Sequence, residues 1–394
     1  MRRIYMDANA TTPLAPEVFA AMRPYFTEQF GNASSIHFHG QRARAAVERA
    51  REQVALLFNC REAEVVFTSG GTEGDNFALF GLMRPGDHLI TTSIEHHAVL
   101  LAAERLRDRG MAVTFLPVSG SAVLDPEEVR RALRPETRLI SVMMANNEIG
   151  AIQPVEEIGR IAAEADVYFH TDAVQAAGKL PIDVQTIGCD LLTISGHKMH
   201  APQGTGALFV RRGTLMEPLM FGGPHERKRR AGTENLAGIV GLGKAAEMAM
   251  AELRGDKAAR MASLRDRLER GLLERVREAG VYGGDAPRVP NTTNIWFDHL
   301  EGEALVIALD LKGLAVSGGS ACMSGATEPS HVLTAMGVVP NRARASLRFS
   351  LDGSATEDDV DFAIALVPEA VARLRELSPR CGTFATQMAR PVTG

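Results

Sequence analysis

Residues 191–206 read LLTISGHKMHAPQGTG. Leu191-Leu192-Thr193-Ile194 is a short apolar run without polar alternation, as expected of a strand buried on both faces of a parallel sheet. It stops abruptly at Ser195-Gly196-His197-Lys198, with His200 and two glycines close behind. A loop lysine is ordinarily a solvated charge. One delivered from the end of a buried strand, between two histidines, asks for a further reason, and the rest of the chain supplies it.

Short β-branched runs alternate with helical patterns on either side of this stretch. Strands are expected at Glu64–Ser69, His88–Ser93, Ala112–Val118, Arg138–Met144, Val167–Thr171, Asp190–Ser195 and Gly206–Arg211. Helices are expected at Thr72–Met83, His97–Arg109, Asp125–Leu133 and Gln153–Ala165. This alternation predicts an α/β fold with a mainly parallel central sheet flanked by helices. From about Thr233 the pattern changes to long helices (Gly238–Arg254, Asp256–Ala279, Glu303–Leu311, Glu357–Leu377) and short strands (Thr293–Phe297, Ala315–Ser317, Ser346–Ser350). That predicts a smaller α+β domain. The boundaries drawn are 16–258 for the large domain, with 1–15 and 259–394 forming the small one.

The chain has 394 residues, 45% of them apolar, and a net charge of −5. That balance argues against a general nucleic-acid binder, although the run Arg227-Lys228-Arg229-Arg230 is a local basic patch. No apolar h-region opens the chain and no run of ~18 apolar residues occurs, so a cytoplasmic protein without a membrane span is expected. The cysteines Cys60, Cys189, Cys322 and Cys381 form neither a C-x-x-C pair nor a zinc framework. Gly238–Lys244 satisfies G-x-x-x-x-G-K, but Ala245 replaces the required hydroxyl residue and no strand precedes it, so a nucleotide loop is rejected.

Ligands of open α/β sheets bind at the carboxyl ends of the strands. Five expected strands end in polar, chemically useful groups: Gly70-Gly71-Thr72-Glu73, Glu95-His96-His97, Asn146-Asn147-Glu148, Asp172 with Gln175, and Ser195-Gly196-His197-Lys198. Singly, each has an ordinary reading: a capped helix start, a core histidine, a turn asparagine, an N-cap aspartate. Together they match the needs of pyridoxal phosphate, which takes a lysine, a phosphate cradle, an acid at the pyridine nitrogen and a flat group on the ring. Lys198 would bind it covalently. Gly71, Thr72, Ser195 and His197 would hold phosphate, Asp172 would keep the pyridinium protonated, His96 would stack, and Asn147 and Gln175 would reach the ring hydroxyl. A metal reading of His37, His39, His197 and His200 lacks a carboxylate or cysteine at zinc spacing.

Motifs in one order extend this reading along the chain: DANATTP (7–13), FGNASSIH (30–37), FTSGGTEGDN (67–76), EHHAVL (95–100), ANNEIG (145–150), FHTDAVQAAGKLPID (169–183), SGHKMHAPQGTGALFVRRG (195–213), GGPHERKRRAGTEN (222–235), SGGSACMSG (317–325), EPSHVL (328–333) and LRFSL (347–351). In these the chain resembles the cysteine desulfurases of the NifS/IscS type, in the class V aminotransferase group, from about Ile4 to Pro379. Its wording is nearest the nitrogen-fixation branch. The resemblance implies the type I fold of pyridoxal-phosphate transferases, a homodimer, and conversion of L-cysteine to L-alanine. It places the Schiff-base lysine at Lys198, the persulfide cysteine at Cys322 on a mobile loop (about 317–328), a stacking and proton-moving histidine at His96, and a substrate-carboxylate arginine at Arg348. Thr233 matches a phosphate contact donated across the dimer. Sulfur would pass to an iron–sulfur scaffold or another acceptor. No resident metal is implied; contact of Cys322 with a transient iron–sulfur cluster is the one metal role left open. Met323, Gly319 and Pro224 depart from the commoner wording without removing a chemical group. A selenocysteine lyase or an aminotransferase of the same fold would share the Lys198 site but need no Cys322.

Overall fold

The computed structural model describes residues 2–318 and 329–377. Cys322 and Cys381, with Gly319 and Met323, lie outside the described residues.

The chain opens with a two-residue strand, β1 (Ile4–Tyr5). It then builds a seven-stranded sheet from β2 (Val65–Thr68), β3 (His88–Thr92), β4 (Ala112–Leu116), β5 (Thr137–Ser141), β6 (Tyr168–Asp172), β7 (Leu191–Ser195) and β8 (Gly206–Val210), in spatial order β2-β8-β7-β6-β5-β3-β4. Only β8 runs against its neighbours. Every residue of β2, β3, β7 and β8 is buried, which accounts for their unbroken apolar and β-branched character. Because β2, β3, β5, β6 and β7 are parallel, their carboxyl ends meet along one edge.

A second, antiparallel sheet has the order β12-β13-β10-β9, from β9 (Ala279–Tyr282), β10 (Thr292–Phe297), β12 (Ser317–Gly318) and β13 (Ser346–Ser350). The remaining strand, β11 (Leu314–Ala315), pairs with β1 in parallel. Ile4 and Met6 share an apolar cluster with Leu268, Phe297, Leu347 and Phe349, so the amino terminus packs with the late part of the chain.

Three sequence expectations change. The helix expected through Ala279 ends at Arg275; Glu278 takes φ 53° and Gly280 lies flat under Trp296, where a Cβ would stand 2.6 Å from Cζ2, so the chain turns into β9 instead. The single strand expected at Ala315–Ser317 is two, β11 and β12, belonging to different sheets. The strand expected through Met144 stops at Ser141, and Met143 N–H is diverted to Glu95 Oε1 at 3.0 Å. A 21-residue helix, Phe38–Phe58, was not expected at all; His37 caps it, its Nδ1 accepting from Gly40 N–H at 3.3 Å.

The rejected nucleotide motif is the interior of helix Leu236–Leu253. Its glycines serve close packing: a Cβ on Gly241 would lie 2.6 Å from Met22 Sδ, and one on Gly243 2.6 Å from Ala50 Cα. Met22 ends helix Pro16–Met22 and Ala50 lies in Phe38–Phe58, so this late helix belongs to the core beside the large sheet. Gly243→Leu should therefore destabilise the fold. Its clash is with rigid backbone, near the upper end of the ~1–3 kcal/mol that overpacking costs, and outweighs the ~1 kcal/mol of helix propensity regained. The urea midpoint should fall for Gly243→Leu and stay close to wild type for the solvent-side Lys244→Ala.

Candidate active site

A cavity of about 510 Å³ opens at the carboxyl edge of the large sheet. Its walls collect Gly71 and Thr72 after β2, His96 after β3, Asn147 after β5, Asp172 and Gln175 at the end of β6, Ser195, His197 and Lys198 at the end of β7, and Arg348 from β13. The structure thus brings together the sequence-derived set, apart from two members. Thr233 is exposed and does not line the cavity of its own chain. Cys322 falls outside the described residues, but both flanks of its segment are tied to the site. Ser317 pairs with Arg348 in the sheet. On the far side Ser330 Oγ donates to Glu148 Oε2 at 2.5 Å, and His331 Nε2 lies 2.9 Å from the Glu95 carbonyl.

At one end the chain enters helix Gly71–Leu82 through Gly70, at φ 155°. The Glu73 carboxylate reaches back to Ser69 N–H at 2.8 Å and is gripped by Arg230 at 2.8 and 3.1 Å. Burial raises the Glu73 carboxyl, but the bonds from Arg230 and Ser69 prevail and hold it below its usual range. The first-turn N–H groups of this helix have no intrahelical partners and form a cradle for an anion. Side chains are kept out of its floor: a Cβ on Gly206 would lie 2.7 Å from Gly70 Cα, and one on Gly71 2.8 Å from Val174 Cγ2. The basic run is largely spent here and nearby. Arg230 holds Glu73, and Arg229 donates to the carbonyls of Ala63 and Val65.

Deeper in, Asp172 accepts Val174 N–H at 2.8 Å. Burial raises its carboxyl, opposed by that bond and by Lys198. Asp75, fully buried in the same wall, is raised further by burial and by the charge of Asp172. Its Oδ1 has no hydrogen-bond partner, and neither has Asn147 Oδ1 or Arg348 Nε. His96 accepts Ala98 N–H on Nδ1 at 3.1 Å, so in the neutral ring the proton sits on Nε2. Burial, then the charges of Lys198, His97 and His331, push its pKa down to about 4, so the ring is neutral at pH 7.

Lys198 Nζ donates to the carbonyls of Asn9 and Ala10, both at 2.6 Å. Arg348, 2% exposed, donates to the Asn147 carbonyl at 3.1 Å and to Asp7 Oδ1 at 2.6 Å. Asn9 and Asp75 also line the cavity, and Asp7 and Lys179 hold the lining residues Arg348 and Gln175; sequence reasoning missed all four. Their signal was present, since Asp7 and Asn9 lie in DANATTP and Lys179 in GKLPID, but nothing local says that the amino terminus returns to this edge. Cys60 and Cys189 lie away from the cavity; burial pushes the Cys60 thiol up to about 12 and the Cys189 thiol higher still. Among the described residues no group of three or more His, Cys, Asp or Glu could hold a metal ion.

The donor set fits pyridoxal phosphate: a lysine beside a buried carboxylate, a backbone anion cradle, a flat neutral histidine, and an amide oxygen left without a partner. Comparison with known proteins agrees. Residues 4–362 match the model of the aminotransferase class-V family, and the chain belongs to that family of pyridoxal-phosphate enzymes. It is 50% identical to cysteine desulfurase IscS of Methanosarcina thermophila over 382 residues, covering 96% of this chain and 94% of that one. It is also 50% identical to a cysteine desulfurase of Trichormus azollae over 382 residues, covering 96% and 95%. Among solved structures, a NifS-like protein superposes with a TM-score of 0.88 at 36% identity, covering 94% of this chain and all of that one, so the type I fold holds.

Asp172→Asn tests the carboxylate. Asparagine preserves the bond from Val174 N–H but carries no charge. Losing a charge-assisted bond of roughly 1.5–3 kcal/mol should weaken pyridoxal-phosphate binding by roughly 10- to 150-fold, read by equilibrium dialysis against the cofactor-stripped protein.

Proposed function

We infer that the chain is a pyridoxal-phosphate-dependent cysteine desulfurase that converts L-cysteine to L-alanine and passes the sulfur on as a persulfide of Cys322. The observation that carries the reading is the gathering of Lys198, Asp172, His96, Asn147, Gln175 and Arg348 on one cavity. The two-domain division at 16–258 against 1–15 with 259–394 is part of the same proposal; separate sheets and the packing of Ile4 and Met6 with the second sheet support it.

When bound, pyridoxal phosphate supplies an electrophilic carbon for an amine and an electron sink for the charge left when a proton leaves the substrate α-carbon. Lys198 would hold the cofactor through Nζ, and its amine would serve as the base for the substrate α-proton. Asp172 would keep a proton on the pyridine nitrogen. Gly71, Thr72, Ser195 and His197 would hold phosphate, and Thr233 of the partner subunit would complete that cradle. Arg348 takes the substrate carboxylate, with Asp7 fixing its guanidinium. Neutral His96, which lines the cavity, would stack on the ring and could move protons. The Cys322 thiolate attacks the substrate sulfur: an S–S bond forms, the C–S bond breaks, its electron pair stays with the carbon skeleton, and protonation there completes alanine. Sulfur transfer to an iron–sulfur scaffold, homodimerisation and a cytoplasmic setting follow from the same reading. No helix among the described residues is long and apolar enough to cross a membrane. The nitrogen-fixation branch belongs to the same reading, and the motif wording and the similarity to the Trichormus azollae enzyme support it.

Two variants test the reading. Truncating one partner of a desolvated charge pair costs roughly 2–5 kcal/mol, so Arg348→Ala should lower kcat/KM for cysteine by roughly 30-fold to a few thousandfold. Arg342 is no substitute, since Asp298 holds it at 2.9 and 2.6 Å. Cys322→Ser should keep the cofactor and the spectral response to L-cysteine but form neither alanine nor, with dithiothreitol, sulfide at a useful rate, because a hydroxyl is a far poorer nucleophile than a thiolate. Serine at Cys60, Cys189 or Cys381 should leave turnover intact. Near-wild-type alanine formation by Cys322→Ser would move the assignment to a lyase or aminotransferase.

A further inference from the structure

A second lysine stands behind the first. Lys179 is 7% exposed and shares with Lys198 the lining of a small rear cavity of about 40 Å³. Its Nζ donates to Gln175 Oε1 at 2.8 Å and to Asn9 Oδ1 at 3.1 Å. Neither acceptor is a carboxylate. The charged groups around it are Lys198 beyond β7, Arg348 of β13 paired with Asp7, Asp352 after β13, and the pair Glu252–Lys257 on the rear-cavity wall. Burial first, then Lys198 and Arg348, push its pKa down to about 7. A buried amine held only by neutral amide oxygens is costly to fold around, so its use has to be sought in what it touches.

It touches Gln175. A carboxamide can present either its oxygen or its NH2, and its neighbours decide which. The Lys179 ammonium has donors and no acceptor, so it selects Oε1, to which Nζ donates at 2.8 Å. Nε2 is thereby turned to the Asn9 carbonyl, at 3.1 Å, which takes one amide hydrogen. The second hydrogen remains for a group inside the cavity that Gln175 lines. Asn9 locks the arrangement from all sides. Its Oδ1 also accepts from Asn291, its Nδ2 donates to Thr292 Oγ1 and the Asn147 carbonyl, and its own carbonyl receives Lys198.

We propose that Lys179 is a positioning residue for the cofactor: by binding Gln175 Oε1 it fixes the Gln175 carboxamide with an N–H toward the cavity, where it meets the ring oxygen of pyridoxal phosphate. The proposal rests on the cofactor site described above and goes beyond it in assigning Lys179.

The test is the pH titration of the visible absorbance band of bound pyridoxal phosphate in the purified holoenzyme. A fixed N–H donor favours the deprotonated ring oxygen, so its loss raises the titration midpoint. Lys179→Met should raise it by about one pH unit, a tenfold change in the equilibrium, and Gln175→Leu should raise it about equally. The double variant should shift no further, because both changes break one path. Lys179→Arg keeps donor and charge and should titrate at or below the wild-type midpoint. An unchanged midpoint in Lys179→Met, or a double variant whose shift is the sum of the two, overturns the proposal. Should Lys179→Met be insoluble, Lys179→Arg decides: a rise as large as that of Gln175→Leu overturns it. A wild-type protein with no visible band would instead overturn the cofactor reading itself.

Discussion

The carbonyl oxygen of Asn9 accepts Lys198 Nζ at 2.6 Å and Gln175 Nε2 at 3.1 Å. To put it there, the chain must lay its seventh to twelfth residues across the carboxyl edge of a sheet whose strands begin some sixty residues later. Each residue of that crossing is held. Asp7 bridges to β13 and pairs with Arg348, Ala8 N–H bonds the Ser350 carbonyl at 3.0 Å, and Thr12 N–H bonds the His197 carbonyl at 2.9 Å. The amino-terminal segment is therefore the seam between the two sheets, and it orients the functional groups of both.

Desolvation is the second organising effect. Asp75, Glu95, Glu148, Asp172, His170 and Lys179 are all buried around this seam, and burial is the largest influence on each. Carboxyls are driven up and the imidazole and amine down, so every shift favours the neutral form. Glu95 rises to about 8 and Glu148 to about 7, while His170 falls to about 3. Arg348, buried among them, is paired with Asp7 at 2.6 Å. The site is thus a largely desolvated chamber with a guanidinium in its wall, suited to orient a carboxylate and to let protons move over short distances.

Elements of the large sheet were legible because a strand buried on both faces must be continuously apolar, as β7 is. The chemistry was legible because strand ends in such a sheet are where polar residues acquire a use; Asp172, Ser195 and Lys198 announce themselves by interrupting apolar runs. Helix Phe38–Phe58 was not legible: its many arginines and its small residues, such as Ala43, Ala46 and Ala50, blur the apolar stripe. The strand β9 was hidden because Ala279-Gly280 looks like the frayed end of the preceding helix, and only Trp296 packing over Gly280 shows otherwise.

Sequence by itself determined the layered α/β architecture, the family, and the lysine, glycine-rich helix start and carboxyl that stand at strand ends, because those signals are local: a period, a breaker, a polar residue at the end of an apolar run. Tertiary structure alone decided that Asp7 and Asn9 belong to the site, that Lys179 lies behind Lys198, and that Asp75 faces the same cavity as Asp172. Those facts depend on contacts between segments as much as 341 residues apart. Such contacts are selected by packing and by the need to satisfy buried polar groups, and neither leaves a periodic trace in the chain.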